Sequence, residues 1–170
     1  MIIKIVSCSI KSKIIIMKKL LFSAFIVSSL LACKNETKST FDLATAKKEI
    51  ESANKEISLS MSKGDSLGVA AAYSSDGALM LSNMPAVKGK ENLIKVWGGF
   101  MSVGLGNIEL TTLEVWGDEN YITEEGQFTT TSKEGVQLDK GKYIVVWKKE
   151  DGKWKLHRDL SNSDLPIATK

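Results

Sequence analysis

The feature that most constrains the fold is a predicted β-hairpin near the end of the chain. Two runs of alternating apolar and polar residues, 143–149 and 153–160, flank the tripeptide Glu150-Asp151-Gly152. An Asp-Gly pair between such runs is the strongest short-range signal for two antiparallel strands joined by a tight turn. We therefore predict an antiparallel sheet of which this hairpin is a part.

The second strand of this hairpin has two chemically different faces. Strict alternation of side chains puts Trp154, Leu156 and Leu160 together on an apolar face. It puts His157 and Asp159 together on the opposite face. A strand face that carries a histidine and an aspartate either meets water or lines a polar pocket, and this choice decides whether the protein has a site there.

Residues 1–32 have the layout of a secretory signal. A short basic segment, Met17-Lys18-Lys19, precedes the mainly apolar run 20–31 and the small residue Ala32. A helix over that run is about 18 Å long, which is too short for a hydrocarbon core of about 30 Å. We predict a signal peptide over 1–32 with translation starting at Met17, and a longer basic region is the alternative.

The cysteine that follows this segment suggests lipid attachment. Cys33 directly after Leu-Leu-Ala resembles the lipobox of bacterial lipoproteins, whose cysteine is acylated and becomes the mature N-terminus. We predict lipidation of Cys33 and a polar tether within 33–41, which places the protein in the bacterial cell envelope with membrane contact through the lipid anchor only. An ordinary signal peptide with an incidental cysteine is the alternative, and whether the domain faces the periplasm or the cell surface stays open.

Removal of the signal changes the charge and the cysteine content. Five lysines precede residue 33 and all 20 acidic residues follow it, so the remaining chain has 18 basic and 20 acidic residues. This balance argues against a nucleic-acid partner, which usually requires a concentrated basic face. Cys8 and Cys33 lie before or at the cleavage point, and no metal-ligand spacing or phosphate-binding loop occurs, so we predict no metal and no cofactor.

The hydrophobic period predicts helices first and strands afterwards. Apolar residues recur at three- and four-residue steps up to Met101, and the period becomes two after Gly106. The predicted helices are 43–62, 67–73 and 90–101, and the predicted strands are 78–81, 107–116, 121–132, 141–149 and 153–161. This order predicts an α+β fold in which about three N-terminal helices pack on one face of an antiparallel sheet of four long strands plus a short one.

The order of elements and three segments resemble a known superfamily. The segments are KGDSLGVAAAYSSDGALM, AVKGKENLIKVW and GKYIVVWKKEDGKWKLHRDLSNSD. They are similar to the NTF2-like superfamily, and more narrowly to its DUF4440 and SnoaL-like group, which is related to ketosteroid isomerase. The resemblance covers the predicted domain 42–165 and implies that the sheet is curved into a cone with one open, mostly apolar pocket.

The same resemblance implies which residues line the pocket. Placing the helices, the turns and the terminal hairpin on the family pattern gives eight candidates. They are Ile57, Leu81, Trp97, Glu125, Tyr143, Val145, His157 and Asp159.

Ketosteroid-type isomerisation needs a carboxylate base and two donors to the enolate oxygen. The resemblance puts Ile57 at the tyrosine donor and Leu81 at the base, and neither side chain can act there. Tyr143 falls at the acidic donor and could still donate. We therefore reject this reaction.

Dehydratase relatives use a His–Asp pair, for which His157 and Asp159 are the counterparts here. A histidine titrates near neutral pH, which suits a general base. The catalytic candidates are accordingly His157, Asp159 and Tyr143, and whether the protein is an enzyme stays open.

Three functions remain after this reasoning. The leading hypothesis is a lipid-anchored envelope protein whose cone binds a small, mostly apolar molecule. The alternatives are a SnoaL- or dehydratase-like enzyme that uses His157 and Asp159 for acid–base chemistry, and a module that forms a homodimer or binds another protein through its open sheet face.

Overall fold

A computed structural model describes residues 41–166. The helices are α1 (Leu43–Ser62), α2 (Ser66–Ala71) and α3 (Lys90–Ser102), and the strands are β1 (Tyr73–Met80), β2 (Val87–Lys88), β3 (Leu105–Gly117), β4 (Tyr121–Ser132), β5 (Gln137–Glu150) and β6 (Lys153–Ser163). None of the helices in this range is both long and apolar enough to cross a membrane. The predicted signal peptide and lipidated Cys33 lie outside the described residues, as does nearly all of the tether.

The first helix begins and ends where the sequence chemistry indicates. The Asp42 carboxylate caps α1 by accepting hydrogen bonds from the backbone N–H groups of Ala44 and Thr45. Gly64 follows the helix with a φ of 69°, a backbone conformation that glycine adopts at little cost. One stripe of α1 is buried against the sheet and consists of Ala46, Ile50, Asn54, Ile57 and Met61.

The strands form one curved sheet with helices on its concave face. The strand order is β2-β1-β6-β5-β4-β3. The α+β fold is as predicted, but the sheet is not wholly antiparallel, because β1 inserts beside β6 and runs parallel to it. The largest fully buried side chains lie between the helices and this face and include Ile50, Leu79, Ile122 and Trp147.

The terminal hairpin forms as predicted. Asp151 and Gly152 both have positive φ, 51° and 75°, which is the signature of the type I′ turn that the Asp-Gly pair favours. The strands pair from Glu150 opposite Lys153 to Gly141 opposite Ser163.

A β-bulge in β6 breaks the alternation that the sequence suggested. Val146 pairs with Arg158 while the next residue, Trp147, pairs with Leu156, so His157 is an extra residue in the strand. The bulge shifts the side-chain period by one residue. Leu156 is therefore buried, but Leu160 is 41% exposed instead of sharing the apolar face with it.

Candidate functional site

A cavity of about 330 Å³ opens at one end of the cone. Its lining is mostly aliphatic and aromatic and comes from all three helices, as in Ile57, Val69 and Trp97, and from five strands. The mouth is formed by exposed apolar side chains, among them Val103 at 84% and Leu138 at 45% exposure. Small-molecule pockets are typically concave, mostly apolar and at least about 300 Å³ in volume, so this cavity has the size and character of one.

The structure brings six of the eight predicted pocket residues to this cavity. They are Ile57, Leu81, Trp97, Tyr143, Val145 and Asp159. Glu125 and His157 are not among its lining residues.

Glu125 was expected in the cone, but its neighbour occupies that position. In β4 the inward-facing buried residues are Ile122, Glu124, Gly126 and Phe128, at every second position. Glu125 points to the opposite, exposed face. The prediction for this strand was therefore wrong by one position, and the carboxylate on the inner face is that of Glu124.

His157 lies on the outer face of the sheet because the bulge turns it away from the cavity. Its Nδ1 is 3.2 Å from Asp76 Oδ1, and its ring stacks at a tilt on Tyr121 with a centroid distance of 5.7 Å. Lys148, Ser74 and His157 together hold the pKa of Asp76 down to about 2, with the Lys148 hydrogen bond as the largest cause. His157 and Asp159 thus belong to different faces, and the expected acid–base pair is not assembled.

Two carboxyl groups line the cavity, those of Asp139 and Asp159. Tyr73, at the start of β1, donates its hydroxyl proton to Asp159 Oδ2 over 2.5 Å. Burial raises the pKa of Asp159 to about 6; the Tyr73 hydrogen bond opposes this rise, and the nearby Glu124 adds to it. Burial and the Asp159 charge in turn raise the pKa of Tyr73 well above its usual value. Burial among mostly apolar lining residues thus keeps the pKa of Asp159 above its usual value.

Behind the cavity wall, Glu124 is fully buried and its carboxylate accepts hydrogen bonds from four side chains. Its Oε1 accepts hydrogen bonds from Asn54 Nδ2 at 2.8 Å, Thr112 Oγ1 at 2.6 Å and Tyr143 Oη at 2.8 Å. Its Oε2 accepts from Trp147 Nε1 at 2.8 Å. A buried carboxylate without a cation beside it requires such a set of donors.

This network changes the role expected for Tyr143. Its single hydroxyl proton is donated to Glu124, and burial together with the Glu124 charge raises its pKa. Tyr143 faces the cavity as predicted, but it presents an oxygen lone pair rather than a proton.

Sequence reasoning missed Tyr73 and Glu124. The alternation Ile122, Glu124, Gly126, Phe128 marks Glu124 as an inward residue of its strand, so its orientation could have been found. Tyr73 carries no comparable signal, because β1 reaches Asp159 only through its pairing with a strand some 80 positions later, as in Leu79 opposite Asp159.

The described part of the chain contains no group of three or more His, Cys, Asp or Glu side chains placed to hold an ion.

Replacing Asp159 by Asn is expected to stabilise the protein at neutral pH. A carboxyl group with a raised folded-state pKa binds protons more readily in the folded state than in the unfolded state. The contribution of Asp159 to the free energy of unfolding therefore falls as the pH rises from about 4 to about 6, and it stays unfavourable at higher pH. Removing the charge should raise the free energy of unfolding by about 2 kcal/mol at pH 7.5, after allowance for the open cavity mouth.

Urea unfolding of both proteins at pH 4.5 and pH 7.5 measures this effect. The difference in the free energy of unfolding between variant and wild type should be small at pH 4.5 and larger at pH 7.5. A constant difference at both values would mean that Asp159 does not titrate in this window.

Comparisons with known proteins agree with this architecture. A family model described as SnoaL-like domain matches residues 59–157. No curated protein matches the chain.

Solved structures share the fold at low sequence identity. A function-unknown protein from Mycobacterium tuberculosis is 21% identical, with 72% of this chain and 79% of that chain covered and a TM-score of 0.66. A ketosteroid isomerase-like protein from Erwinia carotovora atroseptica is 24% identical (70% and 96% covered, TM-score 0.59), and ActVI-ORFA from Streptomyces coelicolor is 16% identical (71% and 98% covered, TM-score 0.58). Since the family model spans more than half of the chain, the protein belongs to the SnoaL-like domain family and has its NTF2-like fold.

Proposed function

We propose that the domain binds a small, mostly apolar molecule in the cavity of its cone. The observation that carries this proposal is the chamber of about 330 Å³ with a mostly apolar lining, in which the Asp159 carboxyl group is hydrogen-bonded to Tyr73. Burial of apolar ligand surface in such a chamber supplies the affinity, and the few polar atoms orient the ligand.

A cavity-filling variant tests the proposal. Ser161 lines the cavity on β6, whereas its neighbour Asn162 is exposed and does not. With decalin as an apolar probe, Ser161→Trp should weaken binding at least tenfold in an NMR titration, and Asn162→Trp should leave the affinity unchanged. Equal affinities of both variants, or no binding to the wild type, would contradict binding in the cavity.

An enzymatic function is the second candidate, and it is supported by the pKa of Asp159. A carboxyl group that titrates at about 6 inside an apolar site has the basicity that suits a general base at neutral pH. His157 lies on the other face, so this chemistry would depend on Asp159 without the predicted partner.

Deuterium exchange separates an enzyme from a binding protein. As a base, Asp159 would take the α-proton of an enolisable ketone, and the enolate would be reprotonated from solvent. In D₂O the protein should then accelerate α-deuteration of 2-decalone, and Asp159→Asn should abolish the acceleration. If wild type and Asp159→Asn both exchange only at the rate of the buffer, the enzymatic function is refuted and ligand binding remains.

A protein–protein function is the third candidate. Ile144 and Leu160 are paired neighbours on the outer sheet face and are 38% and 41% exposed. Paired apolar side chains of this kind support contact between two sheets. If they do so, Ile144→Lys should convert a dimer into a monomer in light scattering, whereas a monomeric wild type would refute dimerisation.

We also propose that Cys33 anchors the protein to a membrane. Residues that resemble a lipobox precede it, and multiple acyl chains hold a protein on a bilayer far more firmly than one. In a bacterial host, Cys33→Ser should abolish incorporation of labelled palmitate and shift the protein from the membrane to the soluble fraction. Labelling of the variant at the wild-type level would refute acylation at this residue.

A further inference from the structure

The charge of the cavity lining allows the class of its ligand to be inferred. This inference rests on the proposed binding function and concerns the charge of the bound molecule. Among the described residues, the lining contains two carboxyl groups, those of Asp139 and Asp159, and no lysine, arginine or histidine. Such a lining offers an ionised ligand a partner of opposite charge only if the ligand is a cation.

The two carboxyl groups lie at different depths. Asp139 follows Leu138, which forms part of the mouth, and its Oδ1 accepts a hydrogen bond from Ser163 Oγ at 2.6 Å. Ser163 lies four residues beyond Asp159 in β6, which corresponds to about 13 Å along a strand. A ligand therefore meets Asp139 at the entrance and Asp159 farther inside.

Neither carboxyl group is neutralised by a cation of the described chain. None of the ion pairs between residues in the range 41–166 includes Asp139 or Asp159. Lys142, which also lies in β5, is exposed and forms an ion pair with Asp164 instead. Behind the wall, the buried Glu124 carboxylate accepts hydrogen bonds from uncharged side chains. The negative charge in and behind the lining is therefore left without a local counter-ion.

The polar side chains beyond the mouth present acceptors to a ligand. Asp159 lines the cavity and keeps part of its surface accessible; Tyr73 donates to its Oδ2, and no donor among residues 41–166 bonds to its Oδ1. Tyr73 and Tyr143 each donate their single hydroxyl proton to a carboxylate, so both present only lone pairs. The indole N–H of Trp97 has almost no accessible surface, so a ligand does not reach it.

Two hydroxyl side chains complete the polar lining. Thr130 lies opposite Asp139 in the pairing of β4 with β5, and Ser161 lies two residues beyond Asp159 in β6, toward the mouth. A serine or threonine hydroxyl can donate or accept by rotating, and it carries no charge. These two groups can serve a neutral, a cationic or an anionic ligand, so the preference among them comes from the carboxylates.

We propose that the cavity selects apolar molecules that carry a basic amine, whose ammonium group donates to Asp159 Oδ1. An ammonium group has only donors, which match Asp159 and the lone pairs of the two tyrosines. A hydroxyl group can give Asp159 one proton, but its oxygen then finds no donor among these three side chains. A carboxylate meets acceptors and like charges at both depths.

The rest of the lining lowers the cost of burying an ammonium group. The faces of aromatic rings carry partial negative charge and attract cations. Five aromatic side chains line the cavity, namely Tyr73, Trp97, Phe100, Phe128 and Tyr143. In addition, burial has already desolvated Asp159 in the ligand-free protein, so an amine brings only its own desolvation cost to the complex.

Three probes with one carbon skeleton test the proposal on the purified protein. They are 2-aminodecalin, 2-decalol and decalin-2-carboxylate, which are cationic, neutral and anionic at pH 7.5. Burial raises the pKa of Asp159 to about 6, so its carboxylate is ionised at this pH. In calorimetric titrations the amine should bind at least about tenfold more tightly than the alcohol, and the carboxylate at least about tenfold more weakly than the alcohol.

Two charge variants make the test specific. Asp159→Asn keeps an acceptor for Tyr73 and turns an N–H₂ group toward the cavity. The ratio of the amine affinity to the carboxylate affinity should therefore fall at least about tenfold. Glu125→Gln removes one negative charge from the exposed outer face of the same sheet and should leave this ratio unchanged. A merely structural role for Asp159 would change all three affinities in parallel.

A cavity-filling variant shows where the amine binds. Ser161→Trp should weaken the binding of 2-aminodecalin at least about tenfold, whereas Asn162→Trp should not change it. Amine binding to Ser161→Trp at the wild-type affinity would place the cation on the outer surface and would overturn the proposal.

The other failures are distinguishable. If the three probes bind to the wild type with equal affinity, or if the carboxylate binds most tightly, the amine preference is overturned while the proposed binding function stands. If Asp159→Asn leaves the affinity ratio unchanged, the assignment to Asp159 is overturned. If no probe binds, the proposed function itself fails.

Discussion

Glu124→Ala is expected to destabilise the protein by about 3–5 kcal/mol, a large share of the total stability of about 5–15 kcal/mol that a domain of this size has. The substitution leaves Tyr143 and Trp147 without an acceptor and leaves Asn54 Nδ2 with only Thr112 Oγ1 at 3.3 Å, and the Glu124 site is fully buried. Each unsatisfied buried donor costs about 1–3 kcal/mol. Removing the buried carboxylate also removes its own desolvation cost, which is why the expected loss is smaller than the sum of the broken hydrogen bonds.

Two variants show whether the network causes this loss. Glu125→Ala changes the adjacent, exposed glutamate and should alter the free energy of unfolding by less than about 0.5 kcal/mol. Glu124→Gln keeps the shape of the side chain but turns one acceptor into a donor. Its loss of unfolding free energy should therefore lie between those of Glu124→Ala and Glu125→Ala. Urea unfolding gives all three values, and a Glu124→Ala protein as stable as Glu125→Ala would show that the four hydrogen bonds are not formed.

The contrast between these two glutamates shows what the sequence could predict. The alternation in β4 is local, and it is sufficient to decide which residues face inward. The partners of Glu124 are not local, because Asn54 comes from α1 and Thr112 from β3. Hydrophobic periodicity identifies elements and their faces, but it carries no information about which polar groups meet when distant elements pack.

The hairpin illustrates a second limit. Its turn and both strands follow from Asp151-Gly152 and the flanking alternation, and the structure confirms them. The bulge at His157 leaves no equivalent signal, because an extra residue in a strand is recognised only against the partner strand. Asp159 reached the cavity as expected, whereas His157 and Leu160 did not take their expected positions.

The cavity itself was predictable only through family resemblance. Apolar residues such as Ile57, Leu81 and Trp97 would be expected in any core, and nothing in their spacing distinguishes a filled core from a hollow one. The resemblance to NTF2-like proteins implied the hollow, and the structure contains it. The polar end of the cavity depends on Tyr73, whose partnership with Asp159 follows from the parallel pairing of β1 and β6 that the sequence did not indicate.

Gly126→Ala is expected to reshape the cavity and to destabilise the protein by about 3 kcal/mol. A Cβ atom at this position would lie 2.1 Å from Cζ and 2.3 Å from Oη of Tyr143. The tyrosine ring must therefore move, and its hydroxyl then loses the hydrogen bond to Glu124. Forcing an extra methyl into a packed site costs about 1–3 kcal/mol, and the lost hydrogen bond adds about 1 kcal/mol.

A matched glycine and a rescue variant make this expectation specific. Gly99 lies in α3 with open space where its Cβ would be, so Gly99→Ala should be neutral or stabilising by up to about 1 kcal/mol. Tyr143→Leu removes the ring that the new methyl would strike. In that background Gly126→Ala should cost much less than in the wild type, and a double-mutant cycle from urea unfolding measures the difference. The same cost in both backgrounds would mean that Tyr143 does not lie over Gly126, and the wall of the cavity would then be built differently.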